Sequence, residues 1–228
     1  MADLNLTLTA TQKQFMDAEA DEVLFGGAAG GGKSYGQLID AFLYALRYPS
    51  SKQLILRRTF SELEKSLIRT SLALFPKDIY SFNSSNHTGK FINGSIIDFG
   101  YCATENDVYQ YQSAEFDVVR FDELTHFSAK QFFYMLSRNR STCGVRPYVR
   151  ASCNPDSDSW VADFISWWWD PDTGYAIPER SGKIRYMARV NEKIVWGDTP
   201  EEVVQRAEEA DYDVTIERSD IKSVAFVA

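Results

Sequence analysis

The stretch Glu22–Tyr35, EVLFGGAAGGGKSY, constrains this chain more than any other. Val23, Leu24 and Phe25 form a short apolar run that favours a strand. Gly27-Ala28-Ala29-Gly30-Gly31-Gly32-Lys33-Ser34 follows and fits G-x-x-x-x-G-K-[ST] at every fixed position. Beyond it Leu38, Ile39, Phe42, Leu43 and Leu46 recur at helical spacing, so the motif joins a strand to a helix. There, glycines let backbone N–H groups converge on one point, and the helix N-terminus adds partial positive charge. Lys33 can reach the β- and γ-phosphates of a nucleotide, and the Ser34 hydroxyl can hold Mg²⁺. Gly27 to Tyr35 is therefore the expected phosphate cradle. The bland alternative is a glycine-rich turn with no ligand.

A second chemical element lies well downstream. Phe116-Asp117-Val118-Val119-Arg120-Phe121-Asp122-Glu123 reads as an apolar strand ending in two acids. At a strand end beside a phosphate loop, Asp122 suits the metal and Glu123 suits the attacking water. The alternative is a pair of acids capping the next helix. Arg120 interrupts the apolar run and predicts a strand partly exposed on one face. Gln53–Arg57 reads as another strand, whose carboxyl end would bring Arg58 near the site.

Three further groups are candidates. Gln12 and Gln14, on a helix opened by Thr9 and Thr11 and expected to run to about Ala20, each carry an amide able to read an adenine edge. The alternative for both is a solvent-facing side chain. Ser152 and Asn154 leave the strand Tyr148–Cys153 and can sense a γ-phosphate, or Asn154-Pro155 is only a turn. Arg138 and Arg140 end the helix expected over Ala129–Asn139. They are either arginine fingers aimed at a neighbouring subunit or residues complementing the helix dipole.

The rest of the chain sets the frame. The spacing predicts a helix over Ser61–Leu74 with Leu63, Leu67, Ile68, Leu72 and Leu74 inward, then a β-rich insert with a hairpin at Asn93-Gly94. Trp160–Trp169 reads as a helix ending in three consecutive tryptophans, for which core packing is the better reading. Ile184–Val190 and Lys193–Trp196 read as paired strands, Thr199–Ala210 as an acidic helix, and Asp213–Glu217 and Ser223–Val227 as strand-like. With 228 residues, 44% of them apolar, one good core can be buried. Three cysteines without C-x-x-C spacing and two distant histidines argue against a zinc site or a disulfide framework. No basic-then-apolar leader is present, and no apolar run reaches membrane length. The net charge of −8 argues against nucleic acid until its distribution is considered. Nine acids and two bases fall between Asp198 and Asp220, whereas Ser128–Cys153 holds five bases and no acid. The chain stops inside the apolar run Val224–Val227, which suggests the N-terminal piece of a longer protein.

The ordered set TATQKQF, LFGGAAGGGKS, LILRRTFSEL, NGSIIDFG, VYQYQSAEFDVVRFDELTHF, MLSRNRS and SCNP resembles the ATPase domain of the large terminase subunit of tailed bacteriophages. The resemblance implies an α/β, RecA-like P-loop fold. Its central, mostly parallel sheet would be flanked by helices, with a β-rich insert and an acidic C-terminal extension. Residues 1–197 would form the ATPase core, and 198–228 the start of a lid or linker subdomain. It implies Mg²⁺-dependent ATP hydrolysis driving double-stranded DNA into a viral prohead. Lys33 and Ser34 would contact phosphate and metal, Asp122 the metal, and Glu123 would be the catalytic acid. Gln12 would read adenine, Ser152 and Asn154 would couple hydrolysis to movement, and Arg138 or Arg140 would act in trans. The implied partners are DNA, further copies in a ring, a portal protein and a small terminase subunit, in the host cytoplasm. Ser113 departs from the glycine expected after Tyr111-Gln112. The family's nuclease module has no room here, so DNA cleavage is not expected. The competing readings are a P-loop translocase or helicase of another branch, a nucleotide-gated scaffold module without catalysis, and a small-molecule kinase.

Overall fold

The computed structural model describes residues 6–27, 30–210 and 215–228. Thr9 caps the first helix, α1 (Ala10–Asp17), in a reciprocal pair with Gln12. The helix stops at Asp17, before the expected Ala20. Phe15 of α1 stacks on Phe25 of strand β1 (Glu22–Phe25) with ring centroids 4.9 Å apart. The glycine loop then leads into α2 (Lys33–Arg47), which lays Leu38, Ala41, Phe42 and Ala45 onto the sheet. Leu43 and Leu46, members of the same helical spacing, lie on its exposed flank.

Strand β2 (Lys52–Arg57) follows, then α3 (Phe60–Leu63) and α4 (Arg69–Leu74), joined by a π turn over Glu64–Ile68. That turn inserts an extra residue into the helical ladder and rotates everything after it. Leu63, Leu67 and Ile68 face inward, but Leu72 is 45% exposed, contrary to the simple 3.6-residue reading. The β-rich insert is a meander of β3 (Tyr80–Asn83), β4 (Thr88–Phe91) and β5 (Ile96–Tyr101), with Asn93-Gly94 in the expected hairpin. Gly94 takes φ +86°.

Strand β6 (Val118–Phe121) and β7 (Tyr148–Ser152) flank helix α5 (Ala129–Leu136), which Ser128 and Gln131 cap reciprocally. Short α6 (Trp160–Phe164) gives way to a small ribbon, β8 (Trp169–Asp170) with β9 (Tyr175–Ala176). The expected helix therefore breaks before the tryptophan run. Trp168 and Trp169 are buried, while Trp167 is half-buried with the guanidinium groups of Arg180 and Arg185 over its ring, 4.8 Å and 5.2 Å from its centroid. The chain ends with β10 (Ile184–Val190), β11 (Lys193–Gly197), α7 (Pro200–Glu209) and β12 (Lys222–Val227). Of the segment Asp213–Glu217, Asp213 and Val214 lie outside the described residues and 215–217 form no strand.

Among the described residues the sheet has ten strands in the order β11-β10-β12-β1-β7-β6-β2-β5-β4-β3. Its six central strands, β12 to β5, are parallel, with antiparallel pairs at each edge. Helices cover both faces, as parallel strands require. Strand β12 comes from the segment set apart at residue 198 in the sequence, yet it is an interior strand. Its Phe226 ring lies where a Cβ on Gly26 would stand, 2.2 Å from its nearest atom, so the last strand supports the start of the glycine loop. Among the described residues no helix is long and apolar enough to cross a membrane.

The expectation that Arg120 marks a half-exposed strand is wrong. Arg120 is fully buried under α2 and donates to Asp40 Oδ2 at 2.5 Å and twice to Gln53 Oε1. A buried charge is tolerated because it is paired and hydrogen-bonded.

Candidate active site

The carboxyl ends of β1, β7, β6 and β2 meet in one crevice, and the chemistry gathers there. The glycine loop bends through Gly27 (φ +115°), Gly30 (φ +84°) and Gly32 (φ +67°), values that a side chain resists. Ala28 and Ala29 lie outside the described residues. Lys33 folds back along the loop, its Nζ donating to Gly27 O at 2.9 Å. Burial pulls its ammonium below the ordinary lysine value, against the opposing pull of Cys153, Asp122 and Glu123. The Cys153 thiol is itself pushed up to about 12 by burial.

Helix α2 is zipped to β6 by three side chains one turn apart. Ser34 Oγ donates to Asp122 Oδ1 at 2.7 Å, Gln37 Nε2 to Phe121 O at 2.8 Å, and Asp40 receives Arg120. The first rung brings a hydroxyl and a carboxylate together at the end of the glycine loop. These are hard oxygen donors, the chemistry that suits Mg²⁺. Ser152 at the end of β7, the strand between β1 and β6, ties the two acids together. Its Oγ donates to Asp122 Oδ1 at 2.7 Å and accepts from the Glu123 amide at 3.0 Å.

Glu123 stands in the left-handed region, φ 60° and ψ 61°, where a non-glycine residue is uncommon. The bend turns its carboxylate out of the strand line. Oε1 meets Arg57 Nη2 at 2.7 Å and Oε2 meets His126 Nδ1 at 3.2 Å. Arg57 also holds Asp122 Oδ2 through Nη1, at 2.6 Å. One guanidinium thus grips both acids, braced by Ser66 Oγ at 3.1 Å.

The sequence points to the neighbouring arginine. Arg58 instead faces the other side of the sheet, donating to Cys102 O and Gln131 Oε1. Successive strand residues point to opposite faces, so only one of two adjacent arginines can reach the acids. Arg57 and His126, which contact the acid pair, were not among the site candidates read from the sequence. Position beside the Asp-Glu pair was the one available signal for His126.

Gly30, Gly31, Gly32, Lys33, Ser34, Tyr35, Glu123, Ser152 and Asn154 line a single cavity of about 320 Å³. The remaining candidates lie elsewhere. Gln12 is buried against the back of the loop, and Gln14 is exposed near Gly182. Arg138 and Arg140 sit at the amino ends of β2, β5 and β6, the edge opposite the loop, in a cavity with Lys52, Asp98 and Glu115. Arg138 donates to Gln112 O, and Arg140 lies 3.7 Å from Glu115. Neither can serve its own subunit's crevice. Ser113 takes no left-handed backbone, so its turn has no need of the expected glycine.

The motif order and this geometry agree with one family model, terminase large subunit, T4likevirus-type, N-terminal, which matches residues 24–221. The chain belongs to the terminase large-subunit family. Among solved structures, this terminase chain is similar to the Thermus phage P74-26 large terminase ATPase domain. The TM-score is 0.53 at 16% identity, over 73% of this chain and 72% of that one. It is similar to the HK97 bacteriophage large terminase, with a TM-score of 0.54 at 11% identity, over 90% of this chain and 47% of that one. The large terminase of a thermophilic bacteriophage gives a TM-score of 0.52 at 15% identity, over 66% of this chain and 40% of that one. The terminase chain thus spans less than half the length of the thermophilic-phage and HK97 proteins. At these identities the likeness is one of fold, a mixed, mostly parallel sheet flanked by helices. No curated protein sequence matches the chain.

Proposed function

We propose that this chain hydrolyses ATP with Mg²⁺ and that the hydrolysis drives double-stranded DNA into a viral prohead. The observation that carries the reading is the convergence of Lys33, Ser34 and Glu123 on one cavity, with Asp122 buried just behind it, 2.7 Å from Ser34 Oγ. The large terminase of the thermophilic bacteriophage has a structure in complex with ADP, which supports a nucleotide as the ligand of this family's fold.

In this mechanism the glycine loop and Lys33 hold the triphosphate in line for attack. Ser34 and Asp122 would hold Mg²⁺, which supplies neutralisation of phosphate charge when bound. Glu123 orients a water toward the γ-phosphorus and takes its proton as the γ–β bridging bond breaks, leaving ADP and phosphate. Arg57 holds Glu123 by Oε1 and so orients the carboxylate, whose other oxygen, Oε2, lies on the His126 side of a one-third-exposed group and can face that water. Ser152 touches both acids, and with Asn154 at the cavity wall it is placed to register loss of the γ-phosphate.

Arg138 and Arg140, at the far edge, suit a role toward a neighbouring copy in a ring. DNA, a portal protein and a small terminase subunit complete the proposed assembly, in the host cytoplasm. The test is ATP hydrolysis with Mg²⁺ across a wide range of protein concentration. Turnover per subunit should rise with concentration, and Arg138→Ala with Arg140→Ala should abolish the rise. Absence of nucleotide binding at any concentration would sink the reading.

A further inference from the structure

Gln12 was expected to read the base of the nucleotide, but its amide is spent in another way. Its Oε1 accepts from the Thr9 amide at 2.8 Å, closing the cap of α1, and its own amide donates to Thr9 Oγ1. Its Nε2 donates to Gly32 O at 2.8 Å. The residue is 4% exposed, which leaves no open edge for a purine.

Gly32 is the last glycine of the phosphate loop and the residue before α2. It is left-handed, with φ +67°, and has no side chain to cap the helix. Its carbonyl accepts two bonds, one from the Gly36 amide at 2.8 Å, the first of α2, and one from Gln12. The two glycines make the approach possible. A Cβ on Gly32 would stand 2.7 Å from Gln12 Nε2, and one on Gly36 would stand 3.2 Å from Gln12 Cγ. Phe15, one turn along α1, anchors the same helix on β1 through Phe25. Gln12 therefore joins a helix fixed to the strand before the loop with the peptide that begins the helix after it.

We infer that Gln12 is a positioning residue of the phosphate loop and not a reader of the base. It fixes the Gly32 peptide, and so the direction in which the Lys33 and Ser34 amides present themselves to phosphate. The inference rests on the reading of this loop as a nucleotide cradle. It implies that Gln12 acts on every triphosphate alike, whatever base it carries.

The experiment measures the affinities of ATP, GTP and inorganic triphosphate for the whole chain and its variants. Gln12→Glu keeps the acceptor for Thr9 but replaces the donor facing Gly32 O. Gln12→Met keeps the bulk and removes both bonds. Either variant should weaken all three ligands by a common factor of about tenfold, the scale of one lost hydrogen bond, with the ATP to GTP ratio unchanged. Thr9→Ala, which loosens the cap and leaves the Gly32 contact, should lower the melting temperature and leave the three affinities in place. A loss confined to ATP, with GTP and triphosphate unaffected, would overturn the inference in favour of base reading. Unchanged affinity for all three would overturn it as well. If Lys33→Ala binds triphosphate as the parent does, the cradle reading itself fails, and this inference with it.

Discussion

Two arginine–carboxylate systems lie under the same helix, two residues apart along one strand line. Arg120 on β6 pairs with Asp40 of α2, buried between helix and sheet, with Gln53 Oε1 accepting from both its Nε and its Nη2. Arg57 on β2 pairs with Asp122 and Glu123 just past the end of β6, where the sheet opens into the cavity. The chemistry is nearly the same, and the difference is access. In the inner pair Arg120 is fully buried, and Asp40 reaches only a separate cavity beside Tyr148 and Arg150, away from the glycine loop. In the outer system Glu123 is one-third exposed and has His126 as a second partner. A buried ion pair specifies packing, whereas one at a strand end can exchange a guanidinium for water or substrate.

The sharpest way to break that comparison is to neutralise the exposed acid. Glu123→Gln should bind ATP yet turn it over at least about a hundredfold more slowly, the scale of lost general-base catalysis, in a steady-state phosphate-release assay. Normal turnover would place the base elsewhere.

Next in size is the inner pair. Arg120→Met strands Asp40 in the interior and should destabilise the fold by about 3–5 kcal/mol in urea titration. The double change Arg120→Met with Asp40→Leu should recover most of that loss, and neither should alter turnover of the folded fraction. A turnover loss in the double variant would mean that the inner pair is coupled to the cavity.

Arg57→Ala is predicted to do both things more mildly. Asp122 keeps the hydroxyls of Ser34 and Ser152, so stability should fall by about 1–3 kcal/mol. Turnover should fall by tens of fold as Glu123 loses its hold, with Arg57→Lys recovering part of it. Equal losses for both variants would mean that the planar two-handed grip matters more than the charge.

The smallest effect comes from the amino edge. Glu22 begins β1 fully buried, with Oε2 unpartnered, and burial with help from Asp21 raises its carboxyl to about 8. The folded chain therefore keeps a proton that the unfolded chain loses at about 4.5. Its contribution to stability falls as pH rises from about 4.5 to about 8 and is level above that. Glu22→Gln should flatten this slope and raise the melting temperature at pH 8 more than at pH 5.

The glycine loop and the acid pair were legible in the sequence because each is a contiguous run whose form depends on local backbone. The mostly parallel sheet was legible for the same reason, since short apolar strands alternate with helical periods. Arg57 was hidden by its strand. Leu54, Ile55 and Leu56 are apolar toward both faces, so no alternation marks which of Arg57 and Arg58 turns toward the acids. Arg120 misled because its partner, Asp40, lies 80 residues away. Leu72 misled because one π turn shifts the helical face.

What the sequence determined by itself is therefore the set of candidate groups and the order of the elements that bear them. Glycine spacing, a lysine and serine at a helix start, and two acids at a strand end act through nearest neighbours. Only the tertiary structure decided which side chains meet across strands. It gave both acids to one arginine, turned Gln12 onto Gly32, and set Lys222–Val227 beside β1 beneath the glycine loop. Those pairings join residues far apart in the chain, and parallel strands buried on both faces leave no local pattern from which to read them.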